Sequence, residues 1–366
     1  MTGRAAPAPA AVRARHREGT RPGVVPHDKA NEETRVSVQD IPSLPQRPRR
    51  RALLAAAAVL AVPAIARGQS LTNRPVTIIV PFSPGAPPDV VARVLALGMQ
   101  RRLGLPVVVD NRAGASGNIG AEAAARAAPD GHTLLVHTTT LVMNASLYRS
   151  LRYQPLESFA PLVALVDVDY ALVLHPSGGA SMAELLSRAR ARPGVLNYAS
   201  PGVGTPHHLT MELFKRAAGA DITHVPYRGT GPAVTGLLGG EVAAMFMPVN
   251  AAVELGRDGR VRSVAVASEA RLPLMPEVAT VAELGVPGVT IKDWFALLSP
   301  SLTPASIQAQ HVEAARAVLA SPETARTLTG QGFNVLGSPP EVLRPRMVAD
   351  LARWAEVIRA ANITAE

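Results

Sequence analysis

The chain has 366 residues, 47 % of them hydrophobic and 4 % aromatic, with a formal net charge of +9. Residues 1–66 hold 11 Lys/Arg against 5 Asp/Glu, so most of the basic excess belongs to the N-terminus and argues little for nucleic acid as a partner. The absence of cysteine excludes disulfides, thiolate catalysis and Cys-ligated metal.

Residues 1–46 are rich in Pro, Ala and Arg without an apolar period, the composition of a disordered leader. Arg47, Arg49, Arg50 and Arg51 then precede a run of small apolar residues that ends at Ala64-Ile65-Ala66, an A-x-A cleavage pattern. This layout predicts a secretory signal peptide over 47–66, cut after Ala66. The apolar run is shorter than the roughly 20 residues of a membrane span. Paired arginines also resemble a twin-arginine signal loosely, so that route and the general secretory (Sec) route both stay open. Signal peptides seldom begin this late, which favours a start site placed too far upstream over a genuine leader.

The exported part alternates strand and helix. Val76–Val80 reads as a buried strand, and a Pro/Gly turn leads from it into an amphipathic helix over 89–103, with Val91, Val94 and Leu95 facing a core. Strands are expected at 107–109 and 133–137, with a Gly-rich turn and an Ala-rich helix between them. A longer β-rich segment over 159–174 ends at His175-Pro176-Ser177-Gly178-Gly179, which is read as a hinge. A second series follows: helix 182–191, strand 196–199, helix 205–218, strand 223–226, helix 232–238, and strands 242–246 and 261–267. Residues 289–298 are expected to cross back to the first lobe. The C-terminus reads as helical, with Leu343, Met347, Leu351, Trp354 and Ile358 on one stripe. The expectation is α/β: two lobes, 67–175 with 290–366 and 176–289, each a mainly parallel sheet flanked by helices, with a ligand cleft between them.

Catalytic signatures are missing. Gly114-Ala115-Ser116-Gly117-Asn118 lacks the last Gly of a nucleophile elbow, and neither H-E-x-x-H nor a phosphate-binding Gly-Lys-Ser/Thr loop occurs. His207, His208 and Glu212 could share a helix face, but ligands at such spacing are common by chance; His208 reads better as a satisfied polar group near the cleft. What remains is a set of turns at helix N-termini: 83–89, 112–118 (with Ser116 and Asn118 as donors), Thr138-Thr139-Thr140, and Ser200 to Thr205. A strand-to-helix turn aims backbone N–H groups and the positive end of a helix dipole at one spot, which suits an anion. Taken singly, each is as readily a capped turn. Their recurrence on both lobes favours a cleft-bound anion.

These segments, in order, resemble a known family. PFSPGAPPD at 81–89, VVVDNRAGASGNIGAEAAARAAPDGHTLL at 107–135, LNYASPGVGTPHHL at 196–209, HVPYRGTGPAVTGLLGGEV at 224–242 and PEVATVAELGVPG at 276–288 are similar to the extracytoplasmic solute receptors of tripartite tricarboxylate transporters, the Bug receptors. The resemblance spans 72–362. It implies a two-lobed periplasmic binding protein that closes on a small organic carboxylate and serves a large permease and a small membrane subunit. It implies no catalytic residue, cofactor, metal or nucleic acid; a monomer is expected. The ligand contacts it implies, with the turns above, are Phe82, Ser83, Pro84, Gly85, Ala86, Asp89, Thr138, Thr139, Thr140, Ser200, Gly202, Val203, Gly204, Thr205, His208 and Met247.

Departures from the family pattern qualify that list. Ala86, Pro87 and Pro88 stand where a second Gly and a hydroxyl residue are usual, and the two prolines delete backbone donors. Val203 replaces a common Asn, and Met247 a common Asp. The cleft is therefore expected to favour one carboxylate on an apolar or aromatic body over citrate. Arg112 is the fixed positive charge nearest a cleft turn, or else half of a structural ion pair. A receptor feeding a signalling partner and an exported α/β enzyme acting on a carboxylate remain the rival readings. A DNA-binding regulator with this effector fold lacks a helix-turn-helix ahead of residue 72.

Overall fold

A computed structural model describes residues 71–365; the expected leader (1–46) and signal peptide (47–66) lie outside them. In chain order the elements are β1 (Val76–Val80), α1 (Pro87–Leu103), β2 (Val107–Asn111), α2 (Asn118–Ala125), β3 (Thr133–Thr138), α3 (Thr140–Leu147), β4 (Phe159–Val168), β5 (Tyr170–Leu174) and α4 (Met182–Ala191). Then come β6 (Asn197–Ser200), α5 (Pro206–Ala218), β7 (Thr223–Pro226), α6 (Thr230–Leu238), β8 (Ala244–Pro248), α7 (Val249–Gly256) and β9 (Arg262–Val266). The last are β10 (Asp293–Pro300), α8 (Ala305–Leu319), α9 (Pro322–Gly330), β11 (Asn334–Ser338) and α10 (Pro340–Ala360).

The strands form two sheets, in the orders β11-β4-β10-β3-β1-β2 and β7-β6-β8-β5-β9. In the first, β1 pairs in parallel with β2 and β3, whereas β10 and β11 join antiparallel. In the second, β6 is parallel to β7 and β8, and β5 is antiparallel to β8 and β9. Both sheets are thus mixed, not mainly parallel as expected. The reason lies in the connections. Strands joined through a covering helix come back parallel, while β5 and β10 are reached by chain that crosses between sheets.

The first crossing occurs at Asp169, between β4 and β5, and not at residues 175–179; the Pro/Gly cluster there follows β5 within the second lobe. The return crossing lies between β9 and β10. Helix α10 straps both. Arg346 pairs with Asp167 at 2.7 Å and donates to the Lys292 carbonyl, Arg353 donates to the Thr290 carbonyl, and Trp294 Nε1 donates to Asp350 at 2.8 Å.

Alternation along each strand feeds the two faces of its sheet. Ile78, Leu134 and Val136 pack with Val91, Leu95 and Met99 of α1 and Val318 of α8. Ile79 and Leu135 point the other way, onto Ala121 and Ala124 of α2, Leu141 of α3, and Leu343 and Met347 of α10. In the second sheet Leu172 and Phe246 meet α4 and α5, while Ala171, Val173 and Met245 meet Ala233 and Leu237 of α6. The predicted α10 stripe is observed, with Leu343, Met347, Trp354 and Ile358 buried and Leu351 half-buried.

Candidate functional site

The first turn, residues 81–86, joins β1 to α1. Pro87 and Pro88 occupy the first helical positions, where a preset φ helps and a missing N–H costs nothing. Asp89 holds the turn in shape. Its carboxylate, 1 % exposed, accepts the Gly85 N–H at 2.8 Å, Arg93 Nε at 2.9 Å and Asn111 Nδ2 at 2.8 Å. Burial opposes its charge, but these bonds and the Arg93 charge outweigh burial and hold the carboxyl below the usual range. The expectation that Asp89 touches ligand therefore gives way to a structural role. The Ala86 N–H goes to the Ser83 carbonyl. Pro84 has no N–H, so the backbone donors of this turn without a partner among the described residues are those of Phe82 and Ser83. Ser83, Pro84 and Gly85 are exposed, and Phe82 and Ala86 half-buried.

The second turn, residues 201–205, joins β6 to α5. Thr205 caps the helix, its Oγ1 accepting from the His208 N–H, and Pro206 follows at the first helical position. Most backbone N–H groups of the turn are taken up locally. The Gly202 carbonyl accepts from Ser200 Oγ at 2.9 Å and Thr205 Oγ1 at 2.8 Å; the Gly202 N–H goes to Ser200 Oγ at 3.2 Å. The Gly204 N–H goes to His208 Nδ1 at 3.0 Å. Only the Val203 N–H of this turn lacks a partner among the described residues. Gly204 has φ +77°, and a Cβ there would overlap Leu147 Cδ1 at the end of α3 in the first lobe. At this point the second-lobe turn touches the opposite lobe. A second contact joins Asn250 of α7 to the Gln331 carbonyl at 2.6 Å.

The three threonines are buried rather than cleft-lining. The Thr139 N–H donates to Asp293, and its Oγ1 accepts from the Trp294 N–H at 3.0 Å, so it pins the start of β10. Thr138 and Thr140 bond each other, Oγ1 to Oγ1 at 3.0 Å. Asp293 is fully buried; burial raises its carboxyl to about 7 against the Thr139 bonds, and Tyr170 donates to it at 3.2 Å. Met247, expected at the ligand, is fully buried in the core cluster with Ala171 and Val249. Ser116 and Asn118 are taken up by Asn144, Tyr148 and Tyr153. Arg112 bonds Asp110 at 2.8 Å, an exposed ion pair.

Two histidines, His137 and His224, escaped the sequence reading, and a third, His207, was weighed there only as a metal ligand. His137, at the end of β3, accepts the Thr138 N–H at Nδ1, and burial pushes it down to about 4. Its Nε2 crowds Gly117, whose φ of +91° and lack of Cβ leave room for the ring. His207 lies edge-on to Tyr170 at 5.0 Å, with both ring nitrogens buried and unpartnered among the described residues. His224 stacks on His208. Only for His224 was there a sequence clue, since parallel strands β6 and β7 set it opposite Tyr198.

Two turns of one design, on two lobes joined by two crossings, have close parallels. A family model described as tripartite tricarboxylate transporter family receptor matches residues 91–363. Protein BugT of Bordetella pertussis is 40 % identical over 292 residues, 78 % of this chain and 89 % of BugT. The solved structure of the periplasmic binding protein BugD superposes with a TM-score of 0.72 at 32 % identity, covering 81 % of this chain and all of BugD. Rhodopseudomonas palustris Rpa4515, solved with adipate, gives a TM-score of 0.74 at 34 % identity, over 80 % of this chain and 98 % of that one. The expected two-lobed binding-protein fold is thereby met, and the chain belongs to the tripartite tricarboxylate transporter receptor family.

Proposed function

We propose that the chain is an exported receptor. It takes a small organic carboxylate between its lobes, leaves it chemically unchanged, and delivers it to the permease subunits of a tripartite transporter in the periplasm. The observation that carries this reading is the pair of helix-initiating turns, one per lobe, whose spare donors are few and fixed: the N–H groups of Phe82, Ser83 and Val203. Groups held this rigidly suit recognition, and the Ser200 Oγ–His224 Nε2 contact beside the second turn, at 2.7 Å, is engaged within that turn, Oγ accepting the Gly202 N–H and reaching the Gly202 carbonyl. The adipate bound by Rpa4515 supports a carboxylate as ligand.

The ligand class follows from the same inventory. Pro84, Pro87 and Pro88 offer no N–H, and Asp89 claims that of Gly85. So few donors suit one carboxylate better than three, and Phe82 and Val203 beside them suit an apolar or aromatic body.

A thermal-shift panel of benzoate, isovalerate, adipate and citrate tests the reading. A ligand at a hundredfold excess over its Kd stabilises by about 2.7 kcal/mol, enough to raise Tm by several degrees. Stabilisation by benzoate or isovalerate above citrate is expected. Strong stabilisation by citrate alone would overturn the ligand class, and no shift with any carboxylate would overturn the receptor. N-terminal sequencing of exported protein checks cleavage after Ala66.

A further inference from the structure

The second-lobe turn rests on a stack of three rings. Tyr198 and His224 face each other across β6 and β7, with centroids 4.8 Å apart and planes at 21°. His208, in the first turn of α5, covers His224 at 3.9 Å and 9°. The ring nitrogens of this stack hold the turn. A backbone N–H can only donate, so the Gly204 bond to His208 Nδ1 requires that nitrogen to be bare. Ser200 Oγ reaches both the Gly202 carbonyl, at 2.9 Å, and His224 Nε2, at 2.7 Å, with one proton of its own; where that proton goes to the carbonyl, Nε2 carries the proton of the second contact. Each glycine flanking Val203 is thus tied to an imidazole, Gly204 directly to the bare Nδ1 of His208 and Gly202 to His224 through Ser200.

We propose that His208 and His224 act together as positioning residues of the ligand turn, presenting the Val203 N–H while both are neutral and releasing the turn when acid protonates His208. The role rests on the receptor reading above.

Protonated His208 would set a donor at Nδ1 against the Gly204 N–H, and two imidazolium rings at this spacing would repel. The other charged or titratable groups beside the stack are Glu212 and Lys215 of α5 and Tyr198 of β6. Burial, aided by the Lys215 charge, pushes His208 down to about 4. Burial pushes His224 down to about 3, with His208 and Lys215 adding to it and Glu212 opposing. Both rings are therefore neutral near pH 7.

Titration of the full chain, labelled at the imidazole rings and glycine amides, tests this by NMR. Neutral His208 should carry its proton on Nε2, and the Gly204 amide resonance should move in step with the His208 ring as pH falls. A proton on Nδ1 at pH 7, or a Gly204 amide indifferent to His208, would overturn the proposal. His208→Asn, which can still accept from Gly204, should keep affinity for the panel carboxylate that most stabilises the wild type within about threefold, whereas His208→Ala should lose about tenfold or more. Equal losses in the two variants would also overturn it. If no carboxylate binds the wild type, the receptor reading has failed, and the Gly204–His208 coupling still decides the positioning role.

Discussion

The two helix-initiating turns share a pattern, strand then Pro/Gly then helix, but are built from opposite chemistry. The first is exposed and is tied by one ionised carboxylate reaching back from Asp89 to Gly85. The second is half-buried and is tied by hydroxyls and neutral imidazoles. Charge-assisted bonds are individually the stronger, so the first turn leans chiefly on Asp89, with Asn111 Nδ2 adding one bond to the Phe82 carbonyl at 3.1 Å, while the second spreads its hold over Ser200, Thr205, His208 and His224. One geometry can thus be made brittle or redundant, and the sequence motif alone does not say which.

Substitutions should separate the two. Asp89→Ala frees the Gly85 N–H and Asn111 at once and should cost about 3 kcal/mol in denaturant unfolding; a loss below about 1 kcal/mol would mean the turn keeps its shape unaided. Gly204→Ala places a Cβ at positive φ against Leu147 and should cost roughly 1–2 kcal/mol. It should also weaken carboxylate binding, since that Cβ holds the lobes apart; unchanged affinity by calorimetry would show that the Gly204–Leu147 contact is not part of the bound form. Thr205→Ala removes one of several ties and should cost about 1 kcal/mol, as helix caps do.

The pH dependence differs as well. His208 and His224 are depressed in the fold, so their contribution to stability is whole above about 6.5, the unfolded value, and is lost as pH falls toward 4 and then 3. Asp89 is also depressed, but from 3.8, so its contribution is lost only below that. Amide exchange should therefore rise first in the second turn and later in the first; the reverse order would contradict this assignment. The smallest effect is expected at Arg112. As half of an exposed ion pair, Arg112→Ala should cost no more than about 0.5 kcal/mol and leave affinity unchanged; a large loss of affinity would make it a ligand contact instead.

Much of the fold was legible. β1, α4 and β7 fall on their predicted residues because β-branched runs and helical stripes there match the period of the structure. Helix α3 was not legible: Thr140 to Leu147 is buried nearly all round, so no polar face betrays a period. Nor was the break at Asp169, since 159–174 reads as one β-rich segment in which Asp167 and Asp169 keep the alternation of a strand. At the site the turns themselves were visible, but their internal bonding was not. The roles of Asp89 and His208 depend on Asn111 and His224, which strand register brings close from far along the chain. The Asp89–Arg93 spacing of four was a local clue.

The crossing at Asp169 has a mechanical consequence. One residue offers two soft dihedrals, so on that side the lobes share a ribbon that can twist but cannot lengthen. The return tether between β9 and β10 runs beside it, and a body held at two neighbouring points has one easy axis. The molecule is therefore built as a nutcracker, with Arg346 and Arg353 riveting the pivot and the two helix-initiating turns carried on its jaws.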